Sequence, residues 1–555
     1  MNSVVLSRTK IMKVTTVSRA STLLCLSMLL AACGGGSSST NPVTTPPPSG
    51  SGTSNTLTWV LGQFPAEASL KNRCETPRSG TDPFSGEPYP DQAGSSFYEK
   101  MWLRSWSDNT YLWYNEIDDK NPQPYSVLEY FDELRTNYRT DSGAFKDNFH
   151  FSQSTAEYNA LAQGGVDSGY GFSWEFVRTT APRKLIVRYT QPGSPAGEAG
   201  ISRGLELKTI NGVDFVNTNS QTDVNIINDA LFPDAPGKSF TFGFADSAGA
   251  NPQQFTLVSS DVTVVPVQNV AVLDYDSGAV GYMQFNTFIR SGQSGLIDAF
   301  QQFAEANVTD LVVDLRYNGG GLLAMASQFA YMVAGSAQTN GLTFETTQFN
   351  AKHPTIDPVT GNTLRPTPFY DREIDWTAGV FTNRTLPSVN LSRVYVLTTD
   401  STCSASEAFI NGLQGIGVEV IQIGGTTCGK PYGFYPTDNC GTTYFTIQFR
   451  GVNEQGFGDY ADGFRPTPAP IFAADIKGCA EEDDFSHGLG DPAENMLNAA
   501  LTFIESGVCP AVTSAKGLAA KYSNTENADG LAIRQPNDQV KAFILENKLI
   551  TPLRD

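Results

Sequence analysis

Between residues 280 and 423 short apolar runs alternate with amphipathic stretches, and this alternation restricts the chain to one broad architecture. Val280 to Phe288 and Leu311 to Leu315 read as strands, and Leu296, Phe300 and Phe303 share one helical face between them. A glycine turn and a further helix follow Leu315. Val394 to Thr399 is then a strand, residues 404–415 a helix with Ala405, Phe409 and Leu413 in phase, and Val418 to Ile423 a strand again. Such repetition predicts a βα-alternating sheet with helices packed on it, spanning residues 266–510. Residues 336–392 are rich in Thr, Asn and Pro, fit the alternation poorly and read as an insertion or lid. Residues 492–504 form a last amphipathic helix, and the 511–555 tail is polar and expected to be loosely held.

A chain of 555 residues predicts two to four domains, multidomain α+β in class. Its formal charge is −20, and loss of residues 1–32 would remove four basic side chains (Arg8, Lys10, Lys13, Arg19) and no acids, leaving about −24. That acidity argues against nucleic acid and anionic lipid as partners.

Basic residues up to Arg19 precede an apolar run, Leu23 to Leu30, that is too short to span a bilayer. The run ends in Leu30-Ala31-Ala32-Cys33, which resembles a bacterial lipobox. Residues 1–32 then read as a lipoprotein signal peptide, with Cys33 as the lipidated residue and membrane anchor. A plain secretory signal with an incidental Cys33 is the competing reading. Gly34, in place of an aspartate, favours the outer membrane by resemblance to enterobacterial lipoproteins, with the protein facing the periplasm. Residues 33–57 are Gly, Ser, Thr, Pro and Asn almost throughout and read as a flexible linker. Six cysteines remain in the exported chain: Cys74, Cys403, Cys428, Cys440, Cys479 and Cys509. Six thiols permit roughly 15 pairings, of which Cys428–Cys440 is the easiest local one.

Residues 58–160 carry Trp102, Trp106, Tyr111, Trp113, Tyr114, Tyr130 and Phe131 at helical spacings. They read as an N-terminal helical domain with an aromatic core, an aromatic substrate groove being the alternative. Residues 161–265 change to strand-rich sequence opening on Gly169-Tyr170-Gly171-Phe172. Gly193-Ser194-Pro195-Ala196, Ala199-Gly200-Ile201, Gly204 and Ile210-Asn211-Gly212-Val213 follow in an order that resembles a bacterial PDZ domain. Such a domain would bind a peptide as an added strand, with Gly169, Tyr170, Gly171 and Phe172 offering N–H groups to a terminal carboxylate. A purely structural β domain is the plainer alternative.

Three short segments carry chemistry. Ser401-Thr402-Cys403-Ser404-Ala405-Ser406-Glu407 puts Ser404 where a strand feeds a helix, so the N–H of Ala405 can face a developing oxyanion. Asp314-Leu315-Arg316-Tyr317-Asn318-Gly319-Gly320-Gly321 follows an apolar strand, and Gly319 or Gly320 can offer a second N–H. Gly429-Lys430 supplies an amine that must be neutral to take the serine proton, so burial has to lower its pKa. Cys403 is a weaker nucleophile candidate, since only His150, His353 and His487 could serve it, and His487 reads as a loop residue. Glu407 is expected to bind donors near the helix start. The absence of an H-E-x-x-H motif and the few histidines argue against a metal site, and no cofactor is expected.

Together these segments resemble the carboxyl-terminal processing peptidases (tail-specific proteases). Ser404-Ala405-Ser406-Glu407 matches that family's nucleophile motif, Gly429-Lys430 its base motif, and Asp314 to Gly320 its glycine turn, over about residues 100–505. The resemblance implies a ClpP/crotonase-like catalytic domain, a Ser404/Lys430 dyad and polypeptide substrates taken by their unfolded C-terminal ends. It also implies an oxyanion role for the glycine turn. Two departures stand out. The serine-to-lysine interval is one residue longer than usual, and Phe434 occupies the place of a glutamine that often orients the lysine. Cys403 and Cys428 beside the two positions are unusual and could form a local disulfide. Phe434 also admits the rival reading of a weak or inactive peptide-binding protein, or a protease adaptor, on the same scaffold.

Overall fold

The computed structural model describes residues 57–510, apart from Asp276, together with Leu531–Arg534. The expected signal peptide (residues 1–32), Cys33, all but the last residue of the expected linker and most of the tail lie outside these residues. Among the described residues no helix is long and apolar enough to cross a membrane.

In the N-terminal region α1 (Ser96–Thr110) and α2 (Val127–Asp132) pack together. Ser126 starts α2 with a capping box: its hydroxyl accepts from Glu129 N, and the Glu129 carboxylate accepts from Ser126 N. Trp102 and Trp106 stack 5.2 Å apart along α1, and both lie buried against Tyr444. These aromatics are core, and the core is shared with the 266–510 region. Strand β1 (Phe151–Ser154) leads out of this region.

The next region is a β domain. It contains β2 (Val166–Gly169), β3 (Phe172–Arg178), β4 (Lys184–Thr190), β5 (Glu206–Ile210), α3 (Gln221–Leu231), β6 (Ser239–Ala245), β7 (Gln253–Val258) and β8 (Ser260–Thr263). Its antiparallel sheet runs β7-β6-β5-β4-β3, and β2 pairs with β8. Ser194 caps a one-turn helix, Pro195–Glu198. Asn211 and Gly212 both take positive φ (48° and 80°), as a tight hairpin turn requires. In the Gly169–Phe172 run Tyr170 is buried, with its hydroxyl donating to Lys238 O. The carbonyls of Tyr170 and Gly171 accept from Ala196 N and Gln191 N. This run therefore joins the sheet to the short helix.

The largest region contains β9 (Val267–Tyr275), β10 (Gly278–Phe285), α4 (Gly292–Glu305), β11 (Asp310–Asp314), α5 (Leu323–Ala334) and β12 (Thr343–Phe349). It continues with β13 (Arg393–Thr398), α6 (Ala405–Gly415), β14 (Glu419–Gly424), β15 (Thr442–Phe445), β16 (Phe449–Val452), β17 (Arg465–Thr467), β18 (Asp475–Ala480) and α7 (Asn495–Ser506). The main sheet runs β9-β10-β11-β13-β14-β18-β17, parallel throughout except for the antiparallel edge β9. Successive strand residues point to opposite faces. Leu311 and Val313 enter the core beneath α4, α5 and α6, whereas Val312 enters the core beneath α7. Burial on both faces is why β11 and β13 read as continuous apolar runs.

The 336–392 segment is bonded into the body. Its strand β12 pairs with β16, and the Gln293 and Gln328 amides donate to Ile374 O and Arg372 O. β1 pairs with β15, so the N-terminal region adds a strand to the far end of the chain.

The disulfides are Cys403–Cys428, Cys74–Cys440 and Cys479–Cys509. Cys428–Cys440, the easiest local pair, does not form, whereas the local Cys403–Cys428 link that the sequence also suggested does. The chain between them carries Cys440 to the N-terminal region, where it meets Cys74, while Cys428 remains beside Ser404.

Candidate active site

Ser404 is the residue before α6, and its backbone is strained, with φ 56° and ψ −113°. A non-glycine residue at positive φ costs about 1–3 kcal/mol and persists only where its surroundings hold it. Three sets of contacts do so. On one side lies the glycine turn: Cys403 N and Ser406 Oγ donate to Asn318 O at 3.0 and 2.9 Å. A Cβ on Gly320 (φ 110°) would lie 2.8 Å from Ser404 Cβ and 2.9 Å from Ala405 N, so this approach requires glycine. On the other side Cys428 N donates to Thr402 O, and the Cys403–Cys428 disulfide ties the two loops covalently.

Glu407 supplies the third set. Its carboxylate is fully buried and accepts four hydrogen bonds. Oε2 takes Ser404 N (2.9 Å) and Lys430 N (2.8 Å), and Oε1 takes Gly429 N (2.9 Å) and Thr427 Oγ1 (2.6 Å). One oxygen thus holds the main chains of Ser404 and Lys430 together. Burial raises the Glu407 pKa, and the four hydrogen bonds oppose that rise. The sulfurs of Cys403 and Cys428 also lie near this carboxylate, but they are bonded to each other.

Lys430 is 2 % exposed. Burial drives its pKa well below the usual lysine value, against the opposing charges of Asp147 and Glu407. Its Nζ lies 4.0 Å from the Phe434 ring centre and 5.2 Å from that of Phe149. Asp147 is itself buried, with Tyr111 Oη donating to Oδ2 (2.7 Å) and Phe149 N to Oδ1 (2.9 Å). The Phe434 and Phe149 rings wall the amine, and the charge of Asp147 acts on it. Phe149 and Asp147 come from the N-terminal region, and no local signal in the sequence points to them.

The Asp314–Arg316 pair is structural. The buried Arg316 guanidinium bonds Asp314 (2.7 Å), Glu494 (2.8 Å) and Asp483 (2.8 Å). Arg203 of the β domain joins this cluster through Asp483 (2.6 Å) and Tyr317 Oη (2.8 Å). The cluster holds the glycine turn in place. Within the turn Gly320 gives its N–H to Asn318 Oδ1 (2.9 Å), and Asn318 Nδ2 donates to Phe285 O. Ala405 is the first residue of α6, so its N–H has no acceptor inside the helix. His487 Nδ1 pairs with Asp484 Oδ2 (2.5 Å), and its carbonyl accepts from Arg203, a loop role.

The Cys403–Cys428 link has a testable consequence. A Cys403→Ala/Cys428→Ala variant is expected to lose about 3 kcal/mol of stability through the freed loop. It is also expected to lose about 100-fold in turnover, because the serine and lysine loops shift by a fraction of an ångström. Thermal melts and steady-state assays of the purified variant measure both, and unchanged turnover would show that Glu407 alone keeps the register.

Residues 279–435 match the model of Peptidase family S41. The C-terminal processing peptidase of Tetradesmus obliquus chloroplasts is 30% identical over 184 residues, 31% of this chain and 39% of that protein. The carboxyl-terminal-processing protease of Synechocystis is 30% identical over 141 residues, 25% of this chain and 32% of that one. The chain thus spans between about a third and two fifths of the length of these relatives. A Bacteroides fragilis structure described as an S41 protease superposes with a TM-score of 0.53 at 22% identity, covering 76% of this chain and 98% of its own. The matched residues contain the glycine turn, the strained serine and the buried lysine, and residues 279–435 are accordingly a Peptidase family S41 domain.

Proposed function

We propose that this protein is a serine endopeptidase of the tail-specific type, acting through a Ser404/Lys430 dyad. The observation that carries the reading is a buried lysine, its pKa pushed far down, held by one Glu407 oxygen to the backbone of a strained serine. A neutral amine at neutral pH is the form a serine's general base requires. Ser404 Oγ attacks the scissile carbonyl while Lys430 takes its proton and later returns it to the leaving amine. Water then releases the acyl-enzyme. The Ala405 N–H is the first oxyanion donor. The Gly320 N–H, held here on Asn318 Oδ1, is the second, with Gly319 beside it in the turn as the other candidate.

Substrates are polypeptides with unfolded C-terminal ends, captured by the PDZ-like β domain along the open edge of β3. Gly169 to Phe172 run from the end of β2 to the first residue of that strand. The Leu30–Cys33 motif supports a lipid anchor at Cys33, and with it a place in the cell envelope on the periplasmic side of the outer membrane. The test compares purified wild type with Ser404→Ala on reduced, carboxymethylated α-lactalbumin. Wild type is expected to degrade it, and the variant to lose at least about 10⁴-fold in rate. Equal cleavage by both would remove the proposal, and a serine-reactive fluorophosphonate that labels wild type alone would separate an enzyme from an inert binder.

A further inference from the structure

Four residues of the C-terminal tail sit on the β domain. Leu531, Ala532, Ile533 and Arg534 alternate inward and outward: Ile533 is buried in the β-domain core, Leu531 packs against the same core, and Ala532 and Arg534 are exposed. That is the pattern of an extended strand reading one face. Its main chain is held at four points. Leu531 N donates to Asn219 Oδ1 (2.8 Å), and Leu531 O accepts from Arg183 Nη2 (2.6 Å). Ile533 N donates to Thr179 O (3.1 Å), and Arg534 N donates to Asn228 Oδ1 (2.8 Å).

These partners define a groove. Thr179 directly follows β3, which pairs only with β4 among the described residues and so presents an open edge. Asn219 precedes α3, and Asn228 lies on it. The segment therefore bridges the end of the edge strand and the helix beside it. Arg183 adds an independent sign of a ligand position. It is buried, and all its hydrogen bonds go to main-chain carbonyls, of Thr179, Phe215, Thr218 and Leu531. The tail carbonyl supplies the acceptor for its Nη2.

We propose that Leu531–Arg534 is an internal ligand of the β domain, and that extended peptides with two apolar side chains two positions apart bind this groove by displacing it. Main-chain hydrogen bonds supply affinity there, and the positions filled by Leu531 and Ile533 supply selectivity. A tethered segment has an effective concentration in the millimolar range, so it would mask the groove from free peptide by about tenfold or more. The proposal rests on the reading of the β domain as a peptide-capturing module.

The test uses the full chain in a Ser404→Ala background, with the native tail or with Leu531→Asp/Ile533→Asp. The probe is a fluorescein-labelled synthetic peptide copying residues 529–536, followed by anisotropy. The double variant is expected to bind the peptide at least tenfold more tightly than the native tail, and reduced, carboxymethylated α-lactalbumin is expected to displace it. Equal affinity for both proteins, or binding to neither, would overturn the proposal. Hydrogen exchange supplies a second measurement. Residues 179–183 and 219–228 are expected to exchange faster in the double variant and to regain protection when the peptide is added. Exchange that the peptide cannot restore would make the tail a fixed piece of the domain's fold and would also overturn the proposal. Cleavage is not read here, so loss of the Ser404 reading leaves this test standing, and the reverse holds too.

Discussion

A Lys430→Met variant is expected to lose cleavage by at least about 10⁴-fold and to melt at a higher temperature than wild type. Methionine nearly matches the length of lysine and suits a site walled by Phe149 and Phe434. It cannot take a proton. The stability gain follows from linkage. The folded-state pKa of Lys430 lies well below the unfolded value of roughly 10.4. Between the two values the unfolded chain binds a proton that the folded chain lacks, so stability falls as pH drops from the upper value toward the lower. Each pH unit in that window costs about 1.4 kcal/mol, and wild type at neutral pH carries this cost. The variant does not. Thermal melts across pH 7 to 10, as a rough range, should show the gap between the two proteins narrowing as pH rises. Wild-type activity should rise with pH through the depressed lysine pKa and then level off, because the neutral amine is the active form. A wild type that matches the variant in melting temperature at neutral pH would show a lysine charged in the fold, and the dyad would be lost with it.

Replacing Glu407 is expected to do the second greatest damage, even when the replacement is glutamine. The Glu407 carboxylate accepts two donors at each oxygen, and three of the four are backbone N–H groups that cannot turn away. A glutamine amide must point its NH₂ at one pair. Facing Ser404 N and Lys430 N, it meets two donors. Facing Gly429 N and Thr427, it still meets one, since only the Thr427 hydroxyl can reverse. Buried donors left without acceptors cost about 1–3 kcal/mol each, so Glu407→Gln should destabilise the protein by about 3 kcal/mol and Glu407→Ala by more. Turnover should fall by at least about 100-fold, because the same oxygen sets the spacing of the two reacting loops. Denaturant melts and assays on both variants measure this. A Glu407→Gln protein with native stability and turnover would show that the carboxylate is a bystander.

The parts of the site that could be read from the chain are those in which neighbours in sequence are also neighbours in space. A strand, a turn and a helix start within a few residues of Ser404, so its exposure at a helix N-terminus follows from local pattern. The glycine turn after β11 is legible for the same reason, and so is the Asn211-Gly212 hairpin. The role of Glu407 was half legible. Its place three residues into α6 announces a cap, yet its bonds to Thr427, Gly429 and Lys430 depend on a loop that arrives after β14. The pairing of Cys440 with Cys74, 366 residues away, overrode the short-range choice of Cys428.

Residue order alone thus determined the βα alternation, the serine, the amine and the turn that can face them, because hydrophobic period and turn chemistry act over a few residues. Tertiary structure decided what surrounds the amine and lowers its pKa. Phe149 and Asp147 reach Lys430 from nearly 300 residues upstream, and the tail reaches the β domain from the opposite end of the chain. Desolvation is the physical reason. It depends on every atom packed around the amine, whatever its place in the sequence, and only the folded chain brings those atoms together.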